Sequence, residues 1–473
     1  MKINDVYDII GPHGPIPNGY NPNHYDLFVK HDFEQSSEFY QDYQDTYGAI
    51  QVNKPRLLRG LFKGEYCINE ITYNKDTNTI GNSDEIYIYT ITAFSNILAT
   101  LGMKEYENSV FSNISSTTLE YLNAKNFYLV LEYQMEGYND RNILDKIYFE
   151  CKKHKINPTS IIFITSTLNI SELHDEYLQQ FPQTDKIKIC LFNWAIPFKN
   201  FELKTVLYDK IKNEKYKKSS IVVESDLNKP KTKKFLCLNR RLRFHRILLL
   251  SLLENENLLE NSFTSYDMNL NLFPFFIDKL DDHHFKRQRI FYNEEYKQKA
   301  KDGYKKLLNN QKRIVDYDNI ESLEGYGWES KDIYTNSYFS IVTETEFQDN
   351  TRFISEKTIK PIMQYHPFVL VGSPYTLKEL KTYGFKTFND FWDESYDEME
   401  SPNDRMIALF NLCKNLINKS KNEWNDMYNE MLPILKHNRN LLLKYDEHSV
   451  KQIVKENLIK LLDNNNQTYI KLF

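Results

Sequence analysis

The sequence predicts an α/β protein of two parallel-sheet domains facing a cleft, followed by a helical C-terminal tail, and three observations predict it. Short β-rich runs alternate with helical stretches through most of the chain, the pattern of strands joined by crossover helices. The alternation breaks at the charged, proline-containing "ESDLNKPKTKK" (224–234) and then restarts. At 473 residues the chain exceeds one ordinary core and fits two domains of about 150–250 residues each.

Residues 1–80 read as an irregular, aromatic-rich segment, since "GPHGPIPNGYNPNH" gives turn after turn. The first domain, 81–223, holds strands at "EIYIYTITAF" (85–94), "NFYLVLEYQ" (126–134), "SIIFITST" (160–167) and "KIKICLFN" (186–193), with helices at 141–154 and 171–180. A linker at 224–234 leads to the second domain, 235–402. It opens on the strand "KFLCLN" (234–239) and the helix "RFHRILLLSLLENENL" (243–258). The strand "NSYFSIVTET" (336–345), a helix running from "ISEK" to Gln364, the strand "HPFVLVG" (366–372) and a short helix stopped by Gly384 follow. Residues 403–473 form the tail, helical in pattern to about 464.

Composition excludes several classes. Hydrophobic residues at 41% and charged residues at 26% fit a globular chain rather than a disordered one. A net charge of −5 argues against a nucleic-acid partner, which calls for a basic surplus or stripe. Cys67, Cys151, Cys190, Cys237 and Cys413 are an odd, scattered set, as expected of free thiols in a reducing, cytoplasmic compartment. The polar N-terminus lacks the apolar core of a signal peptide, and no apolar run reaches the length of a membrane span. The 34 Tyr and 30 Phe suit stacking on carbohydrate, and equally an AT-rich genome.

In open α/β sheets ligands sit beyond the carboxyl ends of the strands, so residues just after each strand are the candidate site. "LNRRLRFHR" (238–246) gathers Arg240, Arg241, Arg243 and Arg246 between a strand and a helix. Cations oppose the dipole at a helix start, and a bound phosphate or diphosphate would compensate them; the competing reading is a solvated basic face. Glu344 and Glu346 leave the strand "YFSIV" at its carboxyl end. In "RFISEKTIKP", Ser355 reads as an N-cap and Glu356 as a first-turn acid, which leaves Lys357 as an ammonium that asks for an anion. A carboxylate able to accept two hydroxyls beside an ammonium able to meet a phosphate suits a nucleoside diphosphate.

The stretch "SIVTETEF…RFISEKTIKPIMQYHPFVLVGSPYTLKELKTYGFKTF" resembles the donor-binding region of inverting glycosyltransferases with two Rossmann-like domains (GT-B), in particular the fucosyltransferase-like (family 10) and exostosin-like groups. The resemblance covers roughly residues 234–395. It implies that Glu356 binds ribose hydroxyls, that Lys357 and Arg240 or Arg241 bind the diphosphate, and that Glu344 lines the sugar pocket. His366-Pro367-Phe368 departs from the fucosyltransferase pattern, which has a small residue there.

The expected activity is therefore hexosyl or fucosyl transfer, with inversion, from a GDP- or UDP-sugar to a glycan or other hydroxyl acceptor, with no cofactor and no metal. A carboxylate general base is needed for the acceptor hydroxyl. Glu136 and Asp140, after the strand at 126–134, are the candidates, Asp140 also being a good N-cap; Trp194 is a candidate acceptor platform or a core residue. Asp316-x-Asp318 and the run Asp281, Asp282, His283, His284 read as surface features, since adjacent residues rarely bind one metal. Two other readings stand beside this one. They are a non-catalytic carbohydrate-binding or scaffold protein on the same fold, and a viral-type enzyme that glycosylates nucleic-acid bases in the host cytoplasm.

Overall fold

The structure, a computed structural model, describes residues 2–6, 9–11, 14–15, 51–52, 85–92, 119, 121–123, 127–133, 140–193, 195, 222–239, 243–267, 293–310, 312–313, 331–348, 350–444, 447–463 and 467–471. The expected α/β class holds. The chain forms two compact units, Met1–Met135, Asn139–Phe192 and Lys451–Phe473 in one, and Glu136–Tyr138 with Asn193–Val450 in the other.

Unit 1 is built on a six-stranded parallel sheet in the order β1 (Lys2–Val6), β5 (Glu85–Thr92), β6 (Phe127–Tyr133), β7 (Ile161–Thr165), β8 (Lys188–Leu191) and β14 (Tyr469–Lys471). All five residues of β7 are buried, as a strand covered on both faces should be, and its run "IIFIT" is accordingly apolar without alternation. Helices α1 (Asp140–His154) and α2 (Ile170–Gln180) link β6 to β7 and β7 to β8. A small antiparallel sheet joins β2 (Ile9–Gly11), β3 (Gly14–Pro15) and β4 (Gln51–Val52).

Unit 2 carries a five-stranded sheet ordered β11 (Lys312–Arg313), β10 (Ser262–Asp267), β9 (Lys233–Leu238), β12 (Ser337–Thr343) and β13 (Phe368–Val371), parallel apart from the β10–β11 pair. From β9 the chain passes through α3 (Phe244–Asn255) to β10 on one side. It later returns through α4 (Glu294–Asn310) and α5 (Lys331–Thr335) to β12 on the other. The strand order therefore reverses between β9 and β12, which makes their carboxyl ends the topological switch point. Beyond β12 come α6 (Glu356–Met363), β13, α7 (Thr376–Thr382), α8 (Pro402–Asn418), α9 (Lys421–Lys444) and α10 (Glu447–Asp463).

Two features cross the expected organisation. Segment 224–234 belongs to unit 2, because Lys331 and Lys229 hold the buried Asp226 carboxylate at 2.8 and 2.6 Å and the segment runs straight into β9. The tail does not stay helical or in one unit: β14 pairs with β8, where Lys188 donates to the Leu461 carbonyl at 3.3 Å. Its ammonium thus sits at the carboxyl end of α10, where the helix dipole favours a cation. Cys151, Cys190, Cys237 and Cys413 are buried free thiols, as expected, and Cys67 lies outside the described residues. Among the described residues no helix is long and apolar enough to cross a membrane.

Candidate functional site

The switch point of unit 2 is tied together by Asn239, the residue after β9. It is buried, its side-chain oxygen accepts from the Thr343 hydroxyl at 2.6 Å, and its backbone N–H donates to the Ser265 carbonyl at 3.1 Å. One residue, through its side chain and its backbone N–H, therefore ties together the carboxyl ends of β9, β10 and β12. Beyond them α3 and α6 begin, so two helix amino termini, with their unsatisfied N–H groups, open at neighbouring strand ends.

The start of α6 is set by the Ser355 cap and by the Glu344 carboxylate. Ser355 is the N-cap, extended at φ −107°, and its hydroxyl oxygen accepts from the Lys357 backbone N–H at 3.2 Å. The same hydroxyl donates to Glu344 Oε2 at 2.6 Å, while the Ser355 N–H and the Thr358 hydroxyl donate to Oε1 at 3.0 and 2.5 Å. With the Thr345 N–H at 3.3 Å on Oε2, the fully buried Glu344 carboxylate anchors the helix start from below. Both of its oxygens are thus turned to the protein itself.

Lys357 is partly exposed, and Glu356 beside it is more deeply set. The Lys357 ammonium donates to Glu356 Oε1 at 3.0 Å and to Ser355 Oγ at 3.2 Å, with the two side chains 31% and 15% exposed. Burial would raise the Glu356 carboxyl, but the Lys357 and Lys360 ammonium groups and the Lys357 hydrogen bond together hold it down at about 2. It is a carboxylate at every physiological pH.

On the β9 side, Arg243 is the N-cap residue of α3, and the first turn of that helix holds no acidic residue. The Arg243 guanidinium instead reaches across to Glu346, Nη1 to Oε1 3.2 Å, with the side chains 39% and 18% exposed. Arg246 does not join it. It is buried, and its Nη2 donates to the carbonyls of Thr343 and Glu344 at 3.1 and 3.0 Å. Burial and then Arg243 lower its guanidinium to about 10, against the pull of Glu344 and Glu356, so it remains a cation.

Several residues that sequence reasoning passed over hold this arrangement. His245 is buried, its ring Nε2 3.0 Å from the Glu344 carbonyl and its face stacked on Phe347 at 5.3 Å. Burial and the adjacent Arg246 push the imidazole well below its usual range, and since a carbonyl only accepts, Nε2 carries the proton. Arg405, on α8, donates to the carbonyls of Phe347, Met399 and Glu400 and lays its guanidinium over the Phe347 ring at 4.5 Å. A signal for the first of these was present: "FHRILLLSLL" is apolar nearly all round, the mark of a buried helix, so its polar members had to turn inward. Nothing local in sequence links Arg405 to Phe347.

After β13, Tyr375 stands in the left-handed region at φ 64°, costly for a residue with a Cβ. Arg352 lies over its ring at 5.0 Å while pairing with Glu379 at 2.8 Å. Asp397 accepts from the Leu377 and Lys378 N–H groups at 2.9 and 3.1 Å and fixes the start of α7. His366, the departure from the fucosyltransferase pattern, is at the opposite end of the sheet, bonded to Ser340 and Ser337.

Of the residues singled out from sequence, the structure thus brings together Arg243, Glu344, Glu346, Ser355, Glu356 and Lys357, with Arg246 beneath them. Arg240, Arg241, Glu136 and Trp194 lie outside the described residues, as do Asp281, Asp282, His283, His284, Asp316 and Asp318; Asp140 opens α1, but its side chain is not described. Among the described residues no group of three or more His, Cys, Asp or Glu is placed to hold a metal ion.

No protein-family model matches the chain, and no curated protein matches it. Among solved structures it is similar to the N-terminal domain of Candida albicans trehalose-6-phosphate phosphatase, at 10% identity and a TM-score of 0.35, covering 98% of this chain and 96% of that one. It is also similar to a UDP-forming α,α-trehalose-phosphate synthase from Burkholderia vietnamiensis, at 10% identity and a TM-score of 0.33, covering 77% of this chain and 71% of that one. The trehalose-6-phosphate synthase OtsA gives 12% identity and a TM-score of 0.34, covering 81% of this chain and 73% of that one. These likenesses are weak, and the site rests on its own geometry.

Proposed function

We propose that the chain is a glycosyltransferase of the GT-B type whose unit 2 binds a nucleoside-diphosphate sugar at the β9–β12 switch point. The observation that carries this reading is the meeting of two helix amino termini, each bearing a half-exposed cation beside a carboxylate, at neighbouring strand ends. Helix termini and cations favour a diphosphate; carboxylates favour sugar hydroxyls. A site built only for inorganic phosphate gains nothing from Glu346 and Glu356.

In the proposed reaction an acceptor hydroxyl oxygen forms a bond to the anomeric carbon as the bond from that carbon to the diphosphate oxygen breaks, with inversion. The electron pair leaves with the nucleoside diphosphate. Arg243 and Lys357, with Arg240 or Arg241, meet the developing charge in place of a metal ion. The hydroxyl proton passes to a carboxylate, for which Glu136 and Asp140 are the candidates. Glu344 acts beneath the site, holding the α6 start in place.

The experiment is a thermal-shift screen against GDP, UDP, CDP and their common sugar conjugates with EDTA present. A ligand at 100 times its dissociation constant adds about 2.7 kcal/mol of stability, a readily visible rise in melting temperature. Stabilisation by one nucleotide family, lost in Lys357→Ala, supports the reading; no stabilisation by any of them contradicts it.

A further inference from the structure

Resting on the nucleotide-sugar reading, we propose that the Ser373 hydroxyl, just beyond the carboxyl end of β13, is a further ligand contact of the site: it hydrogen-bonds the nucleoside end of the donor rather than its phosphates. The donor is then read at three neighbouring strand ends, those of β9, β12 and β13.

Ser373 is 2% exposed, and its Oγ has no hydrogen-bond partner among the described residues. Other hydroxyls of the same strand ends and turns are paired within the protein. Thr376 Oγ1 donates to the Ser373 carbonyl at 2.7 Å, Thr343 Oγ1 to Asn239 at 2.6 Å, and the hydroxyls of Ser355 and Thr358 to Glu344. A buried hydroxyl without a partner carries a desolvation cost that an alanine in its place does not. At a strand's carboxyl end, such a group points to a partner from outside the chain.

The backbone fixes Ser373 beside the site. The Glu344 N–H donates to the Val371 carbonyl at 2.9 Å, so β12 and β13 stay paired to their ends. A Cβ added at Gly372 would lie 3.7 Å from the Glu344 Cβ and 3.5 Å from Thr376 Oγ1, which sets the residue before Ser373 against the side chain that anchors the start of α6. Beyond Ser373 the turn is held by Tyr375, left-handed at φ 64°, whose N–H donates to the Asp397 carbonyl. A serine has one side-chain torsion with three staggered positions, so its hydroxyl can swing to a ligand oxygen while this backbone stays in place.

Strand order decides which part of a donor it meets. β13 lies on the far side of β12 from β9, so a diphosphate gripped between Arg243 at the α3 start and Lys357 at the α6 start leaves Ser373 outside its span. Glu356, also at the α6 start, is a carboxylate suited to the adjacent hydroxyls of a ribose, which puts the nucleoside on this side of the diphosphate.

Titration calorimetry in EDTA compares UDP, GDP, UDP-glucose, GDP-mannose and inorganic pyrophosphate on wild type and on Ser373→Ala. The nucleotide that wild type binds should weaken about three- to tenfold in the variant, the reach of one neutral hydrogen bond, with its sugar conjugate weakened by the same factor and pyrophosphate unchanged. The variant should melt no lower than wild type, since it loses an unpaired hydroxyl. Ser373→Cys, close in size but a weak donor, should behave the same way and serves if the alanine variant does not fold. Unchanged affinities overturn the inference, whatever the melting temperature does. Pyrophosphate weakened as much as the nucleotide, or the sugar conjugate weakened more than the nucleotide, overturns the nucleoside contact. In each of these cases the anion site between Arg243 and Lys357 still stands. If wild type binds no nucleotide, the inference and the proposed function fall together.

Discussion

The two ends of strand β12 are built from similarly polar residues and do opposite things with them. At the amino end, Ser337, Ser340 and His366 are buried and satisfy one another: Nδ1 of His366 takes the Ser340 hydroxyl at 2.7 Å and Nε2 donates to the Ser337 carbonyl at 3.0 Å. Lys231 is likewise buried, its ammonium bonded to the Thr335 carbonyl at 3.3 Å and lying 4.3 Å from the Tyr428 ring. Every partner there is neutral. At the carboxyl end, above the buried Glu344 and Arg246, stand two part-exposed ion pairs, Arg243–Glu346 and Lys357–Glu356, whose cations a ligand anion can engage. Polarity alone therefore does not mark a site; exchangeable partners at a strand's carboxyl end do.

The largest effect should come from cutting the base of the carboxyl end. Glu344→Ala leaves the buried Ser355 N–H and the hydroxyls of Ser355 and Thr358 without their acceptor, and urea unfolding should show a loss of about 3 kcal/mol or more. A loss under about 1 kcal/mol would mean that Glu344 is not the anchor.

At the amino end, His366→Phe should cost about 1–3 kcal/mol at pH 7.5, by stranding Ser337 and Ser340. It should also change the response to acid. Burial lowers His366 to about 3 and His174 to about 4, and pushes His245 well below its usual range. The unfolded chain binds more protons than the native one below about pH 6.5, so stability is full above that value and falls as pH drops toward 4. The fall should be shallower in His366→Phe; a fall of equal slope would sink the assignment of His366 as a neutral, buried imidazole.

Ser355→Ala removes a cap and one bond to Glu344, and should cost about 1–2 kcal/mol. Lys357→Ala should be nearly silent in stability, within about 0.5 kcal/mol, since its ion pair is half-exposed. Its effect belongs to ligand binding, where loss of a charged hydrogen bond is worth about tenfold or more. A large stability loss in Lys357→Ala without a binding change would erase the contrast between the two ends.

Much of the fold was legible. β5 to β9, β12 and β13 are apolar runs longer than their surroundings, and each lies where its run lies. β1 and β14 were missed because five- and three-residue strands with polar edges carry little periodicity and depend on a partner far along the chain. α4 was missed because "EEYKQKAKDGYKKLLNN" is polar overall, although Ala300, Tyr304 and Leu307 keep helical spacing and are buried. Gly303 in the same helix packs so close that an added Cβ would lie 1.8 Å from the Ser251 carbonyl oxygen on α3. At the site, the cap Ser355 and the Glu356–Lys357 pair were readable from a window of three residues. The burial of Arg246 and the Arg405–Phe347–His245 clamp were not. They join segments more than 50 residues apart through carbonyls, and carbonyls leave no trace in side-chain patterns.

The central claim is that the carboxyl end of the unit 2 sheet holds a nucleoside diphosphate between Arg243 and Lys357. The most direct test is calorimetric titration of GDP and UDP, in EDTA, into wild type and into the Arg243→Gln/Lys357→Gln double variant. One of the two nucleotides should bind wild type, and the double variant should lose about a hundredfold in affinity while melting within a few degrees of wild type. Binding that survives the double substitution unchanged, or no binding by wild type, would contradict it.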